Sequence, residues 1–201
     1  MPVFLLLSII FAIWLGFEIK RHNKKETSHS QDFWKREYDA NFVRPKDISS
    51  LQYLVIPLDM LPFQDTTNEA LLEVQTAIRK LAEKKLLNLN GKSNTDLKYQ
   101  YGAKHFEELA LYDQNFLIYL RTLNKWAHLL YETDCKDDAK TILEYSIQLG
   151  SDISSTYKLL AEIYVAEGNY GKLDELTQRA QGLTTLLKPS ILQMLLQYQN
   201  V

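Results

Sequence analysis

Cysteine is almost missing from this chain: Cys135 is the only one in 201 residues. An intramolecular disulfide is therefore impossible, and so is a C-x-x-C metal or redox pair. Turn formers are scarce too. Seven Gly and five Pro point away from a turn-rich β fold and toward long helices. Neither sign of charge dominates, with 23 Lys and Arg against 25 Asp and Glu and a net charge of −2. Nucleic-acid binding through bulk charge thus has no electrostatic support. What is present, 46% hydrophobic residues, suffices for a core in a chain of this length.

The N-terminus differs in material from the rest. Residues 2–17 read PVFLLLSIIFAIWLGF, without a charge, and Ile19 follows Glu18. Eighteen helical residues span about 27 Å, close to the roughly 30 Å hydrocarbon layer. A cleaved signal peptide carries its positive charge before the apolar run and small residues after it. Here KRHNKK follows the run. The pattern predicts a transmembrane anchor over 1–19, at the cell membrane, with the C-terminal part in the cytoplasm. Residues 27–201 hold 19 Lys and Arg against 23 Asp and Glu, so this part is not drawn onto an anionic bilayer.

Residues 20–31, KRHNKKETSHSQ, contain no apolar side chain and read as a polar, flexible juxtamembrane linker. Residues 32–65 follow as an amphipathic or extended docking segment. Its first part carries Phe33, Trp34, Tyr38 and Phe42, and its apolar second part is broken by Pro57 and Pro62. Those prolines forbid a continuous helix there. An α-helical domain is expected over 66–201. Its first helix is expected at 66–89, with Thr66 and Glu69 at capping-box spacing and Leu71, Val74, Ile78, Leu81 and Leu89 as its apolar stripe. Asn90-Gly91 would stop it, and a further helix is expected near 103–112.

Gly91-Lys92-Ser93 repeats the last three letters of a phosphate-binding loop. That loop needs a strand before it and a glycine five positions upstream of the second one. The residue five before Gly91 is Leu86, within a predicted helix, so phosphate binding is rejected.

Further on, the chain echoes itself. Residues 123–149 align with 157–183 at an offset of 34 without a gap. Trp126 falls on Leu160, Ala127 on Ala161, Leu130 on Tyr164, Ala139 on Leu173, Ile142 on Leu176, Ser146 on Ala180 and Leu149 on Leu183. Small residues recur where paired helices approach closely, and large apolar ones where inner faces meet.

A 34-residue period of two antiparallel helices resembles the tetratricopeptide repeat. The likeness is strongest over 154–187 and looser over 120–153. Tyr157, Leu160, Ala161, Tyr164 and Ala180 stand at family positions, whereas Leu173 and Thr177 depart from them and the terminal proline is missing. Two repeats rarely stand alone, so flanking helices must complete the stack, among them a capping helix at 189–199. The implied fold is all-α, antiparallel hairpins preceded by the membrane helix. With its apolar start, the segment RPKDISSLQYLVIPLDMLPF (44–63), and NGKSNTDLKYQYG (90–102) followed by YDQNF (112–116), the whole arrangement is also similar to single-pass helical-repeat proteins of Gram-positive bacteria, a family for which no activity is established.

Candidate chemistry is thin. His22 and His29 lie in the linker, and His105 and His128 lack H-x-x-x-H or H-E-x-x-H spacing. Cys135 has no companion cysteine or recognisable histidine. Asp134, Asp137 and Asp138 read as turn and helix-start residues, without the alternation a calcium loop needs. No catalytic residue, metal ligand, cofactor or small-molecule substrate is expected. The repeat resemblance implies instead a groove along the first helix of each repeat, lined by Arg121, Asn124, His128 and Tyr131, then Ser155, Lys158, Glu162 and Val165. The expected role is a membrane-anchored scaffold that grips a protein partner there. The alternative is a structural subunit of a membrane or envelope complex, joined through its transmembrane helix and residues 32–42. Residues 51–63, apolar and tethered close by, are a candidate to occupy the groove themselves.

Overall fold

The computed structural model describes residues 2–199, with the side chains of 2, 3, 5, 6, 8, 9, 19 and 22–29 outside the described residues. The fold is all-helical, and among the described residues the only strand-like pairing is a single bridge between Leu54 and Leu86. The chain divides into two compact units, residues 1–49 with 93–106, and residues 50–92 with 107–201. Residues 93–106, expected within the repeat domain, therefore belong with the N-terminal part.

In the first unit, α1 runs from Pro2 to Ala40. Where a flexible linker was expected at 20–31, the backbone is helical. The reason is local: no Gly or Pro occurs from Phe17 to Arg44, and nothing else there breaks a helix. The anchor expectation rests partly on side chains outside the described residues. Among the described residues no helix is long and apolar enough to cross a membrane. Phe4, Leu7, Ile10, Phe11, Ile13, Trp14, Leu15 and Phe17 are all exposed along α1.

The last turns of α1 pack on α2, Asn94–Tyr101. Arg36 pairs with Asp96 at 2.6 Å, and Glu37 accepts from Thr95 at 2.5 Å and from the Lys98 ammonium. Ala40 and Leu97 are buried there. Ser93 caps α2 in a reciprocal box with Asp96, so the serine of the Gly-Lys-Ser tripeptide satisfies a helix end. Gly102, at φ +89°, ends the helix so close to Pro45 that an added Cβ would stand 2.7 Å from its Cα.

In the second unit, residues 50–65 are extended apart from a 3₁₀ turn at Leu58–Met60. Ile56 and Leu61 are buried, and Phe63 stacks between Trp126 (4.9 Å) and the Arg79 guanidinium (4.1 Å). α3 spans Glu69–Ala82 and is capped by Asn68, whose side chain accepts from the Ala70 and Leu71 amides. The expected Thr66–Glu69 box is thus displaced by two residues. The helix also ends seven residues before Leu89. Leu86, Leu87 and Leu89 are buried in extended chain, held by Leu54 N–H to Leu86 O, Leu87 N–H to Tyr112 O, and Leu89 N–H to the Asp113 carboxylate. These tertiary partners outweigh the helical periodicity. Gly91 turns at φ +81° in the following loop and caps no helix.

Five further helices follow: α4 (Phe106–Glu132), α5 (Lys136–Gln148), α6 (Ser154–Ala166), α7 (Tyr170–Gln181) and α8 (Lys188–Gln199). The helix expected near 103–112 is a short 3₁₀ turn, Ala103–His105, running into α4. One core joins α3 to α8, with Trp126, Ala127, Ala139, Ile142, Leu160, Ala161, Leu176 and Ala180 all inside.

Candidate functional site

The two hairpins, α4–α5 and α6–α7, share their turn geometry atom for atom at the 34-residue offset. Cys135 N–H donates to Leu130 O and Asn169 N–H to Tyr164 O, both at 2.8 Å. Asp134 N–H reaches Tyr131 O, and Gly168 N–H reaches Val165 O. Asp134 (φ 61°) and Gly168 (φ 68°) occupy the same left-handed step. Cys135 and Asn169 then open α5 and α7, but only Asn169 caps with its side chain, accepting from Lys172 N–H.

α8 continues the register. Lys188 lies 34 residues after Ser154, and Ile191 and Leu195, both buried, fall on Tyr157 and Ala161. The helix expected as a cap thus repeats the first helix of a hairpin. Its positions equivalent to the expected groove residues are Pro189, Leu192, Leu196 and Gln199, a more apolar set that sequence reasoning missed. The signal was available in the Tyr157–Ala161–Tyr164 pattern recurring as Ile191–Leu195–Tyr198.

The eight expected groove residues are not equally open. Asn124 is half-buried, and its Oδ1 accepts from Ser155 Oγ at 3.1 Å and Thr156 Oγ1 at 3.0 Å. Two of the eight therefore stitch α4 to α6. Glu162 accepts from the Tyr198 hydroxyl at 2.9 Å, joining α6 to α8, and lies 3.9 Å from Lys158 Nζ. Tyr131 and Val165 are half-buried against the core, with Lys136 Nζ 5.9 Å from the Tyr131 ring centre. His128 is half-buried, and Arg121 and Lys158 are exposed. Among the contacts of the segment 51–64 are Leu86, Tyr112, Gln75, Arg79, Trp126 and Asp138.

Charge chemistry in this unit concerns structure. Burial, then the hydrogen bond to Glu144 at 2.7 Å, holds the Tyr164 phenol protonated well above its ordinary range. Burial first, then Asp152, pushes Tyr157 up to about 12, and its hydroxyl donates to Ser151 O at 3.1 Å. Lys140 bridges Asp137 and, at 2.6 Å, Glu167, which ties α5 to the end of α6. A cavity of about 80 Å³ between α5, α6 and α7 is edged by Glu144, Tyr164, Lys172, Glu175 and Arg179. Ligand sites in proteins run from roughly 300 Å³ upward, and this one falls well below that range. Among the described residues, no group of three or more His, Cys, Asp or Glu side chains is arranged to hold a metal ion. Comparison with protein-family models, curated proteins and solved structures gives no match to this chain.

Proposed function

We propose that this protein is a membrane-anchored scaffold which binds a protein partner along the aligned first helices α4, α6 and α8, and that its hairpins are of tetratricopeptide type. The observation that carries this reading is the recurrence of one turn geometry at 34 residues, continued into α8. Such an array holds side chains of successive helices in one row, a surface suited to an extended or helical segment. Arg121 and Lys158 are its exposed cations, and Leu192 and Leu196 extend it with apolar area. The exposed side chains of Phe4, Leu7, Ile10, Phe11, Ile13, Trp14, Leu15 and Phe17 support the anchor, since a surface of this kind in water is an aggregation liability. The basic run after it supports a cytoplasmic array.

The test is a crosslinking pull-down from native membranes with the full chain, beside an Arg121→Glu/Lys158→Glu variant. Both residues are exposed, so the fold is kept. A partner captured by the wild type and lost by the variant is expected. Unchanged capture would move the binding surface elsewhere, and residues 32–42, at the end of α1 and just past it, are then the alternative, in the manner of a subunit joined through its membrane helix.

A further inference from the structure

The C-terminal third of α1 has two opposite sides. Arg36, Glu37 and Ala40 face α2. Trp34 and Tyr38 stand four residues apart, centred about 130° around the helix from that contact, and Phe42 follows in the turn just past the helix end. They are 65%, 64% and 71% exposed, and the Tyr38 and Phe42 rings lie 4.8 Å apart. Phe33, half exposed, sets its ring edge-on to Trp34 at 5.5 Å. Trp34, Tyr38 and Phe42 together form an exposed aromatic surface of the kind that a protein in water keeps covered.

Two occupants are conceivable, a bilayer or a protein. Given the anchor proposed above, on which this inference rests, the bilayer does not reach. Trp34 lies 15 residues beyond Ile19, about 22 Å along the helix axis, whereas the headgroup zone is roughly 5–8 Å deep on each side. Lying flat on the surface would require a bend between 19 and 34. α1 is one helix through that stretch, and no Gly or Pro is available there to break it.

We infer that the aromatic stripe Trp34–Tyr38–Phe42 pairs with the same stripe of a second copy of this chain, the two α1 helices rising side by side from the membrane. A twofold axis along the membrane normal sets both stripes at the same height without further adjustment. An unrelated partner would need its own apolar surface at about 22–35 Å above the hydrocarbon. The charges allow the pairing. Lys35 flanks the stripe on one edge and Ser30 and Glu37 on the other, so the twofold sets no like charges of the two copies against each other there. Asp32 and Asp39 point away from it. Each ring offers about 150–250 Å² when fully exposed, and six rings about two-thirds exposed bury on the order of 600–1,000 Å², short of the roughly 1,600 Å² of a standard interface. The association therefore depends on the membrane, which confines the copies and aligns them.

The test uses the full chain in phosphatidylcholine vesicles at high lipid-to-protein ratio, on a Cys135→Ser background. Flotation first establishes that the protein is in the bilayer, and a protein that fails to float overturns the anchor reading. Gln31→Cys, beside the stripe, and Asp39→Cys, about 120° from the Trp34–Tyr38 centre, are then oxidised. Disulfide-linked dimers are expected to form at least about ten-fold faster at position 31. Adding Trp34→Ala/Tyr38→Ala/Phe42→Ala should remove that advantage while the helical circular dichroism stays unchanged. Equal rates at the two positions, a monomer in floating vesicles, or indifference to the triple substitution would each overturn the pairing. So would crosslinking from position 31 to another protein in native membranes with none to a second copy.

Discussion

Replacing Gly168 by Ala isolates the one backbone feature on which both hairpin turns depend. Gly168 sits at φ 68°, and an added Cβ would meet no atom within 4 Å, so the effect is conformational alone. A non-glycine residue in this region costs about 1–2 kcal/mol. Losing glycine's freedom in the unfolded chain returns about 0.4–1 kcal/mol. The net loss is about 1 kcal/mol, or roughly 2–4 °C in Tm for a domain of this size. Asp134 holds the same step at φ 61°, so Asp134→Gly should act in the opposite direction. Its gain is smaller, about 0.5 kcal/mol, because Asp tolerates the left-handed region better than most residues and an exposed pair with Lys136 at 3.2 Å is lost. Urea unfolding followed by Trp126 fluorescence, with Trp14→Phe and Trp34→Phe removing the other two indoles, reads both changes at constant m. A neutral or stabilising Gly168→Ala, or a destabilising Asp134→Gly, would refute the equivalence of the two turns.

Three further outcomes are expected. Cys135→Asn should stabilise the second unit by about 1 kcal/mol in the same urea experiment, because Asn169 at the equivalent position caps its helix while Cys135 does not. Gly102→Ala should destabilise the first unit by about 3 kcal/mol or more, adding strain at φ +89° to an overlap with the Pro45 backbone, and limited proteolysis near residues 41–50 should speed up accordingly. Raising the pH should unfold the array from its tyrosines. The Tyr157 pKa is raised from 10.0 to about 12, so its contribution is fully present below pH 10 and lost between pH 10 and about 12. Phenolate absorbance should then rise together with loss of helical signal, and ionisation of Tyr157 near pH 10 in the folded protein would contradict its burial.

The repeated hairpins were legible because both tight approach and turn geometry leave marks on residue type. Ala127, Ala161 and Ala180 are small where helices meet, and Trp126, Leu160, Ile142 and Leu176 are large where they face the core. The end of α3 was not legible. Leu86, Leu87 and Leu89 extend an apolar pattern that fits a helix as well as an extended strip, and the choice is made by Leu54, Tyr112 and Asp113, distant in sequence. Nor was the length of α1. Residues 20–31 carry no apolar period, and a helix there follows from the absence of breakers. The assignment of 93–106 to the first unit rests on Arg36–Asp96 and Glu37–Lys98, pairs some 60 residues apart that no local pattern announces. Among the expected groove residues, the resemblance named positions without their neighbours, and so could not show Asn124 and Ser155 bound to each other.

Partner binding along α4 and α6 is decided by photo-crosslinking in native membranes, with a benzophenone amino acid placed singly at Arg121, Lys158, Thr141 or Gln178. The first two lie on α4 and α6, and the last two are exposed positions on α5 and α7. One and the same protein captured from 121 and 158, and not from 141 or 178, is the predicted result. Capture from α5 and α7 with none from α4 and α6 would contradict it.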